Sequence, residues 1–303
     1  MSHGKQSRRE FECCLAVVGL GAVAAGCCAA GTGKDRVIRF GVIADCQYAD
    51  VPAKGSRYYR ESLGKLEACV AALNREPLAF VVNLGDLVDR HAASFDDVLP
   101  VLDRCRAPVH HVLGNHDIVS GDRQWTVERL GMPGPYYDFR VGSCRFLILD
   151  GNEVSVYGTA PRTPARRTAE ERLAALEADG AARARTWNGA VGDAQLQWLR
   201  ARLRDARAAG EPVVVFCHFP VYPDNVHNLW NCDAVRAAVT ESGCVTAFLS
   251  GHNHAGLYAE SQGVPFLTLP GMVETPDTTA YGSARLGGAG FTLEGVGRMQ
   301  SYS

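Results

Sequence analysis

The sequence predicts an α/β domain whose helices cover the faces of large central β-sheets. Short apolar runs rich in Val, Ile and Phe alternate with longer stretches in which Leu, Val and Ala recur at helical intervals. The 303 residues are 47% hydrophobic and 21% charged, as in an ordinary globular chain. This composition excludes intrinsic disorder as the main state of the protein.

The predicted elements follow one another mostly as strand, helix, strand. Seven short apolar runs are typical of strands buried on both faces, at 37–44, 80–84, 109–113, 146–149, 213–217, 245–249 and 266–269. Five stretches carry helical spacing, at 58–75, 95–105, 165–179, 193–208 and 233–241. Two last segments, at 280–286 and 290–294, suit a closing hairpin. In such domains ligands bind beyond the carboxyl ends of the strands.

Charge and cysteine content exclude two classes of protein. Lys and Arg total 31 and Asp and Glu total 33, so the net charge of −2 offers no basic field for nucleic acid. Four of the eleven cysteines lie in the first thirty residues, and the others are scattered and never spaced as CxxC. We interpret those seven as small buried apolar residues, not as a disulfide framework or a zinc site.

Residues 1–35 are interpreted as an export signal. Arg8 and Arg9 precede a charge-free stretch at 13–33, and the pair resembles a bacterial twin-arginine signal. Cys27 follows small residues, as in a degenerate lipoprotein signal. The expected location is periplasmic, or membrane-anchored on the outer side of the cytoplasmic membrane. An uncleaved anchor, or a cytoplasmic protein whose segment has no targeting role, remain as alternatives.

One domain is expected over 36–303, with an insertion at 151–192. The insertion is rich in Ala, Arg, Glu, Pro and Gly and has only one clear helical stretch. Its arginines are offset by acidic residues, which is typical of a solvated helical face. We interpret it as a surface insertion or lid and not as a second domain.

Side chains with oxygen or nitrogen atoms that can bind a metal follow five of the predicted strands. Among these residues, the candidate ligands are Asp45, Gln47, Asp86, Asn115, His218, His252 and His254. They offer oxygen and nitrogen donors without a thiolate, and they are too many for a single ion. Two ions about 3.5–4 Å apart, sharing a bridging carboxylate, form a known hydrolytic arrangement. The sequence therefore predicts a two-metal centre.

The order DxQ, GDxxDR, GNHD, a lone strand-end His and GHxH resembles the calcineurin-like metallophosphoesterases. Within that family, the segments 41–50, 57–60, 187–189, 222–224 and 273–275 resemble the manganese-dependent ADP-ribose/CDP-alcohol diphosphatases. The resemblance extends from about residue 37 to the end. It implies a four-layer αββα sandwich of two mixed β-sheets flanked by helices.

The resemblance also implies how the metals are shared. One ion would be bound by Asp45, Gln47, Asp86 and His254. The other would be bound by Asp86, Asn115, His218 and His252. Gln47 stands where most members of the superfamily have His, and a neutral oxygen in place of an imidazole favours Mn²⁺ or Mg²⁺ over Zn²⁺. We expect Mn²⁺, with Mg²⁺ or Fe²⁺ as alternatives.

Three further residues receive catalytic roles by the same resemblance. His116 would donate a proton or hydrogen bond to the leaving oxygen, and Asp117 would orient its imidazole. Arg90 would neutralise a phosphate oxygen. The candidate substrate-binding residues are Arg90, Asn188, Tyr222 and His227.

The predicted activity is hydrolysis of the phosphoanhydride of small nucleoside diphosphate derivatives, such as ADP-ribose or CDP-alcohols, by a hydroxide that bridges the metals. A cyclic-nucleotide phosphodiesterase or phosphomonoesterase of the same superfamily is the alternative. A third hypothesis is a membrane-tethered protein that binds a nucleotide without turnover. The sequence identifies no protein partner.

Overall fold

The computed structural model describes residues 37–119, 121–288 and 290–303. The interpretation of 1–35 as an export signal, and of Cys27 as a lipidation site, falls outside these ranges and stays a prediction. Within them, no helix is both long enough and apolar enough to cross a bilayer.

The described residues form strands and helices in close alternation. The strands are β1 (Ile38–Ile43), β2 (Phe80–Asn83), β3 (Val109–His111), β4 (Tyr137–Val141), β5 (Cys144–Leu149), β6 (Val213–Cys217), β7 (Val245–Ser250), β8 (Leu257–Ser261), β9 (Val264–Thr268), β10 (Ala280–Gly287) and β11 (Gly290–Gly297). The helices are α1 (Glu61–Leu73), α2 (Ser94–Leu102), α3 (Arg123–Arg129), α4 (Pro164–Ala178), α5 (Asp193–Ala209) and α6 (Cys232–Glu241).

The strands assemble into two mixed sheets. The first has the order β11-β10-β1-β2-β3, in which β1, β2 and β3 are parallel and the β10–β11 hairpin is antiparallel to β1. The second has the order β4-β5-β6-β7-β9-β8, with antiparallel strands only at its edges. The predicted architecture of two mixed sheets flanked by helices is confirmed.

The two sheets pack face to face through an aromatic core. Phe40 and Phe80 of the first sheet stack with ring centroids 4.7 Å apart, and Phe146 of the second sheet meets both edge-on. Burying such a side chain stabilises the fold by about 1.5–3 kcal/mol. Helices cover the outer faces: Leu66 of α1 lies in the cluster outside the first sheet and Leu199 of α5 in the cluster outside the second. All cysteines of the described residues are free thiols, as expected.

Three elements were not predicted from the sequence. Strands β4 and β8 lie at the two edges of the second sheet and are only partly buried, so they lack the continuous apolar runs of the central strands. Helix α3 has seven residues, too few for a clear helical period. Its N-cap is Asp122, whose side chain accepts hydrogen bonds from the backbone N–H groups of Gln124 and Trp125.

The segment 151–192 combines an exposed helix with buried ends. Helix α4 is capped by Thr163 and buries only two of its residues. The ends of the segment are joined by backbone hydrogen bonds between Val154 and Ala190, of 2.9 and 3.0 Å. Ala190 and the neighbouring Asn188 are fully buried. The segment therefore contributes side chains to the interior beside the carboxyl edge of the sheets.

Candidate active site

The sequence-predicted ligands lie together at the carboxyl ends of β1, β2, β3, β6 and β7. Several of them adopt the left-handed backbone conformation, namely Asp45 (φ 52°), Gln47 (φ 45°), Asp86 (φ 53°) and His252 (φ 67°). Residues other than glycine rarely adopt this conformation, and such residues cluster at functional sites. The turns after the strands are therefore shaped to direct side chains inward.

Glycines let neighbouring loops pass in contact with these ligands. A Cβ on Gly114 would overlap Asp86 Oδ1, and one on Gly251 would lie 2.6 Å from Asp45 Oδ2. A Cβ on Gly271 would lie 2.7 Å from the ring of His254. Only glycine fits these positions without displacing a ligand.

Two groups of ligand atoms share Asp86. Asp45, Asp86 and His254 place one ligand atom each within 4.8 Å of one another, and Asp86, His218 and His252 do the same. The shared carboxylate lies 3.3 Å from His218 Nε2. A carboxylate shared by two ligand groups is the arrangement expected of two adjacent ion sites that it bridges.

Hydrogen bonds fix the tautomer of each ligand histidine. His218 Nδ1 donates to the carbonyl of Leu84 at 2.9 Å, and His254 Nδ1 donates to Glu274 Oε1 at 2.7 Å. In His252 it is Nε2 that lies 2.9 Å from Asn188 Oδ1. Because each partner atom is an oxygen that can only accept, the other ring nitrogen keeps a lone pair for a metal.

Nearby carboxylates stabilise a positive charge on two of the ligand imidazoles. Burial alone would lower the pKa of His218, but its interaction with Asp86 outweighs burial and raises the pKa to about 9. Asp45 likewise outweighs burial at His254 and raises its pKa to about 9. Protons and metal ions compete for the same nitrogens, so a site that stabilises a proton there also suits a cation.

Gln47 supplies a second test of whether the site fits metal ions. Its Nε2 donates to Asp86 Oδ2 at 2.9 Å, whereas its buried Oε1 has no hydrogen-bond partner among the described residues. A buried acceptor without a partner is costly, and a cation would satisfy it. With carboxylate, amide and imidazole donors and no thiolate, the residues present fit two hard or borderline divalent ions such as Mn²⁺.

His116 lies beside the ligands and is oriented by Asp89, not by the predicted Asp117. Its Nδ1 is 3.1 Å from Asp89 Oδ1, and its backbone N–H donates to Asp86 Oδ1 at 2.8 Å. Burial would lower the pKa of His116, but Asp86 and Asp89 outweigh it and raise the pKa. With Nδ1 turned to Asp89, Nε2 is the donor left for a ligand.

The predicted pairing of Asp117 with His116 is wrong. The buried Asp117 carboxylate accepts four backbone N–H groups, from Asp86 (2.8 Å), Leu87 (2.8 Å), Val88 (3.2 Å) and Gly114 (2.9 Å). Asp117 therefore ties the turn after β2 to the turn after β3. It positions Asp86 through the backbone and does not act on the substrate.

A cavity of about 390 Å³ opens onto the ligands, and Arg57 is the arginine that lines it. Arg90, predicted to bind phosphate, instead donates from Nη2 to the Tyr59 hydroxyl at 2.7 Å, with its guanidinium 5.0 Å from that ring. It is not among the residues lining the cavity, and its predicted contact with phosphate stays a prediction. His227 does line the cavity, with its ring 5.5 Å from His252.

Two other residues predicted to bind substrate make contacts within the protein. The Tyr222 ring packs 5.7 Å from that of Phe266, beneath the guanidinium of Arg236. Asn188 uses its whole amide within the protein: Oδ1 accepts from His252, and Nδ2 donates to two backbone carbonyls. Tyr222 is thus a packing residue, and Asn188 orients a ligand histidine.

Sequence reasoning did not predict the positions of four residues: Arg57 and Trp187 line the cavity, Asp89 contacts His116, and Glu274 accepts a hydrogen bond from His254. Three of them lie in segments that the family resemblance had singled out, at 57–60, 187–189 and 273–275. That signal marked the segments without showing which side chain faces the cavity. Asp89 lies within GDxxDR, and its contact with His116 could not be read from spacing.

Comparison with known proteins agrees with this geometry. Residues 38–256 match the calcineurin-like phosphoesterase family. The manganese-dependent ADP-ribose/CDP-alcohol diphosphatase of Arabidopsis thaliana is 34% identical, over 88% of this chain and 97% of its own length. The human protein of the same name is 30% identical, over 88% and 92%. A dimetal phosphatase from Danio rerio superposes with a TM-score of 0.81 at 30% identity, over 88% of this chain and 98% of that one.

Proposed function

The chain belongs to the calcineurin-like phosphoesterase family and is a metal-dependent phosphoester hydrolase, and on this premise we propose that it cleaves the phosphoanhydride of small nucleoside diphosphate derivatives such as ADP-ribose and CDP-alcohols. The observation that carries the proposal is the pair of ligand groups joined by Asp86 at the floor of the cavity. The names of the relatives support the substrate class.

We propose Mn²⁺ as the ion at both sites, since the relatives are named for manganese and the donor set is rich in oxygen. When bound, two such ions polarise the phosphoryl oxygens and lower the pKa of a coordinated water. The residues that would hold them are Asp45, Gln47, Asp86, Asn115, His218, His252 and His254.

The residues around the ligands have distinct tasks in this hydrolysis. A water oxygen forms a bond to phosphorus and releases a proton to solvent, and the bond from phosphorus to the bridging oxygen breaks. His116, held through Nδ1 by Asp89, offers its Nε2 proton to the departing oxygen. Arg57 makes no ion pair within the described part of the chain, so its guanidinium is available to a phosphate oxygen.

A substrate panel tests the proposal. Protein stripped with a chelator and reloaded with Mn²⁺ should regain activity, with higher kcat/KM for ADP-ribose and CDP-choline than for cyclic AMP and p-nitrophenyl phosphate. A preference for cyclic AMP or p-nitrophenyl phosphate would favour the phosphodiesterase or phosphomonoesterase alternative. If wild type and His116→Ala turned over every compound equally slowly, a nucleotide-binding protein without turnover would be the better hypothesis.

Export is a separate proposal that depends on residues 1–35 alone. We propose that the Arg8-Arg9 pair directs the chain across the cytoplasmic membrane. Exchanging both residues for Lys keeps the positive charge and should leave the full-length chain in the cytoplasm. Unchanged processing of that double variant in a bacterial host would contradict this proposal.

A further inference from the structure

We propose that Trp187 is the platform on which the nucleobase of the substrate stacks, and so the residue that selects nucleotides over other phosphate esters. This inference rests on the proposed function, because it assumes that the reacting phosphates belong to a nucleotide. It assigns a side chain that none of the catalytic steps above uses.

The exposure of Trp187 is the first observation. Among the described residues, the exposed large hydrophobic side chains are Val37, Trp187, Tyr258 and Val296. Of these, only Trp187 lines the cavity that also contains Asp86 and His116. The Trp187 indole is 42% exposed, so it lacks part of the stabilisation that a tryptophan usually gains from burial. A ligand that covers it would recover that stabilisation.

The backbone beneath the indole is firmly held, so this exposure does not come from a loosely attached segment. The carbonyl of Arg185 accepts two hydrogen bonds of 3.1 Å, from the backbone N–H of Asn188 and from Nε1 of Trp230. Asn188, which follows Trp187 in the chain, is buried, and its side chain is hydrogen-bonded to the ligand His252. The Arg185 guanidinium lies 5.8 Å from the Trp187 centroid, which restrains the ring through a cation–π contact. The indole is therefore pre-positioned.

The lining of the cavity provides separate places for the parts of a nucleotide. The ligands at its floor and Arg57 suit phosphates, whereas Trp187 offers an aromatic face. The volume of about 390 Å³ is within the range of small-molecule sites. Stacking of a base on an aromatic side chain typically contributes about 5- to 150-fold in affinity. A phosphate ester without a planar base would gain none of this.

Kinetics with a matched pair of substrates tests the platform. ADP-ribose is compared with diribosyl diphosphate, which has the same anhydride and sugars but no base. In Trp187→Ala, the ratio of the two kcat/KM values should fall about 10-fold, mainly through the KM for ADP-ribose, and Trp187→Phe should restore most of it. Tyr258→Ala is the control, because Tyr258 is 43% exposed but lies outside the cavity lining. It should leave the ratio at the wild-type value.

Binding without turnover separates this proposal from the proposed function. Isothermal titration of the Mn²⁺-loaded protein with AMP and with ribose 5-phosphate should give wild type a preference for AMP that Trp187→Ala loses. An unchanged preference, or equal weakening for both compounds in a variant with wild-type Tm, would overturn the platform. If wild type hydrolysed neither diphosphate, the proposed function would fail, and the preference for AMP would still decide the role of Trp187.

Discussion

Two regions of the site are built in opposite ways. The ligand cradle consists of Asp45, Gln47, Asp86, Asn115, His218, His252 and His254, which are buried except for the partly exposed Asn115 and His254. The cavity rim is partly exposed and consists of Arg57, Trp187 and His227. Each imidazole of the cradle has a hydrogen-bond partner that fixes its orientation, whereas Arg57 has no ion pair among the described residues.

The difference shows where the reaction and the selectivity reside. In the cradle, close contacts and shared hydrogen bonds leave the side chains little conformational freedom. The phosphoester chemistry is therefore the same for substrates with different groups attached to the phosphate. On the rim, side chains with few contacts can change without disturbing the cradle. We therefore expect cradle variants to lose kcat with every substrate and rim variants to change KM in a substrate-dependent way.

The largest effect is expected for Asp86→Asn. Asp86 is fully buried and belongs to both ligand groups, and the exchange removes its charge at nearly constant shape. Losing a pre-organised charge of this kind should reduce kcat by about 10²–10³-fold for every substrate. Metal analysis of the purified variant should also find less than two ions per chain.

The control for that prediction is Asp205→Asn, which lies on α5 in an exposed pair with Arg202. It should keep wild-type activity and metal content, because surface pairs contribute little. Full metal occupancy together with wild-type kcat in Asp86→Asn would contradict the bridging role.

A pair of glycine variants tests whether the cradle is sterically closed. Gly114→Ala puts a methyl group against Asp86 Oδ1 and should displace that carboxylate, which costs about 100-fold in kcat. Gly64 lies in α1 with open space around its Cβ, so Gly64→Ala should keep activity and stabilise the fold by about 0.4–1 kcal/mol. Activity assays and thermal unfolding of both variants measure these effects. Equal activity in the two would show that the cradle tolerates displacement.

Glu274→Gln removes the charge that orients His254. The hydrogen bond from His254 lowers the pKa of Glu274 to about 2, so this partner is a carboxylate at neutral pH. Loss of such an orienting carboxylate typically reduces metal affinity or activity by about 10- to 100-fold. Titration of the metal-free variant with Mn²⁺ measures the affinity directly. Glu260→Gln, on the exposed side of β8, is the control and should match wild type; a Glu274→Gln protein that also matched it would sink the prediction.

The cradle was predictable from the sequence because its residues directly follow buried strands. Short runs rich in apolar residues located β1, β2, β6 and β7, and the apolar residues on both sides of His110 and His111 located β3. Parallel strands bring their carboxyl ends to one edge. The edge strands β4 and β8 were not found, since alternating exposure breaks up their apolar runs. The residues that follow a strand can therefore be predicted where the strand itself is buried.

Contacts that cross between loops could not be predicted. Asp117 follows His116 directly, yet its carboxylate points to the backbone of residues 86–88, and Asp89 occupies the position beside the imidazole. Arg57 reaches the cavity because its backbone pairs with that of Glu274, more than two hundred residues later in the chain. Spacing within a motif carries no information about such pairings.

The smallest effect is expected on the rim, where we assign to Arg57 the phosphate contact that sequence reasoning gave to Arg90. Arg57→Ala should raise KM about 10-fold for diphosphate substrates, because a charged hydrogen bond to phosphate is lost, while kcat changes less. Arg90→Ala removes a partner of Tyr59 and a neighbour of Asp89, so it should lower kcat modestly and leave KM nearly unchanged. Steady-state kinetics with ADP-ribose separates the two constants. A larger rise in KM for Arg90→Ala than for Arg57→Ala would show that Arg90 binds the phosphate. The rim would then include the turn after β2, which contains Arg90.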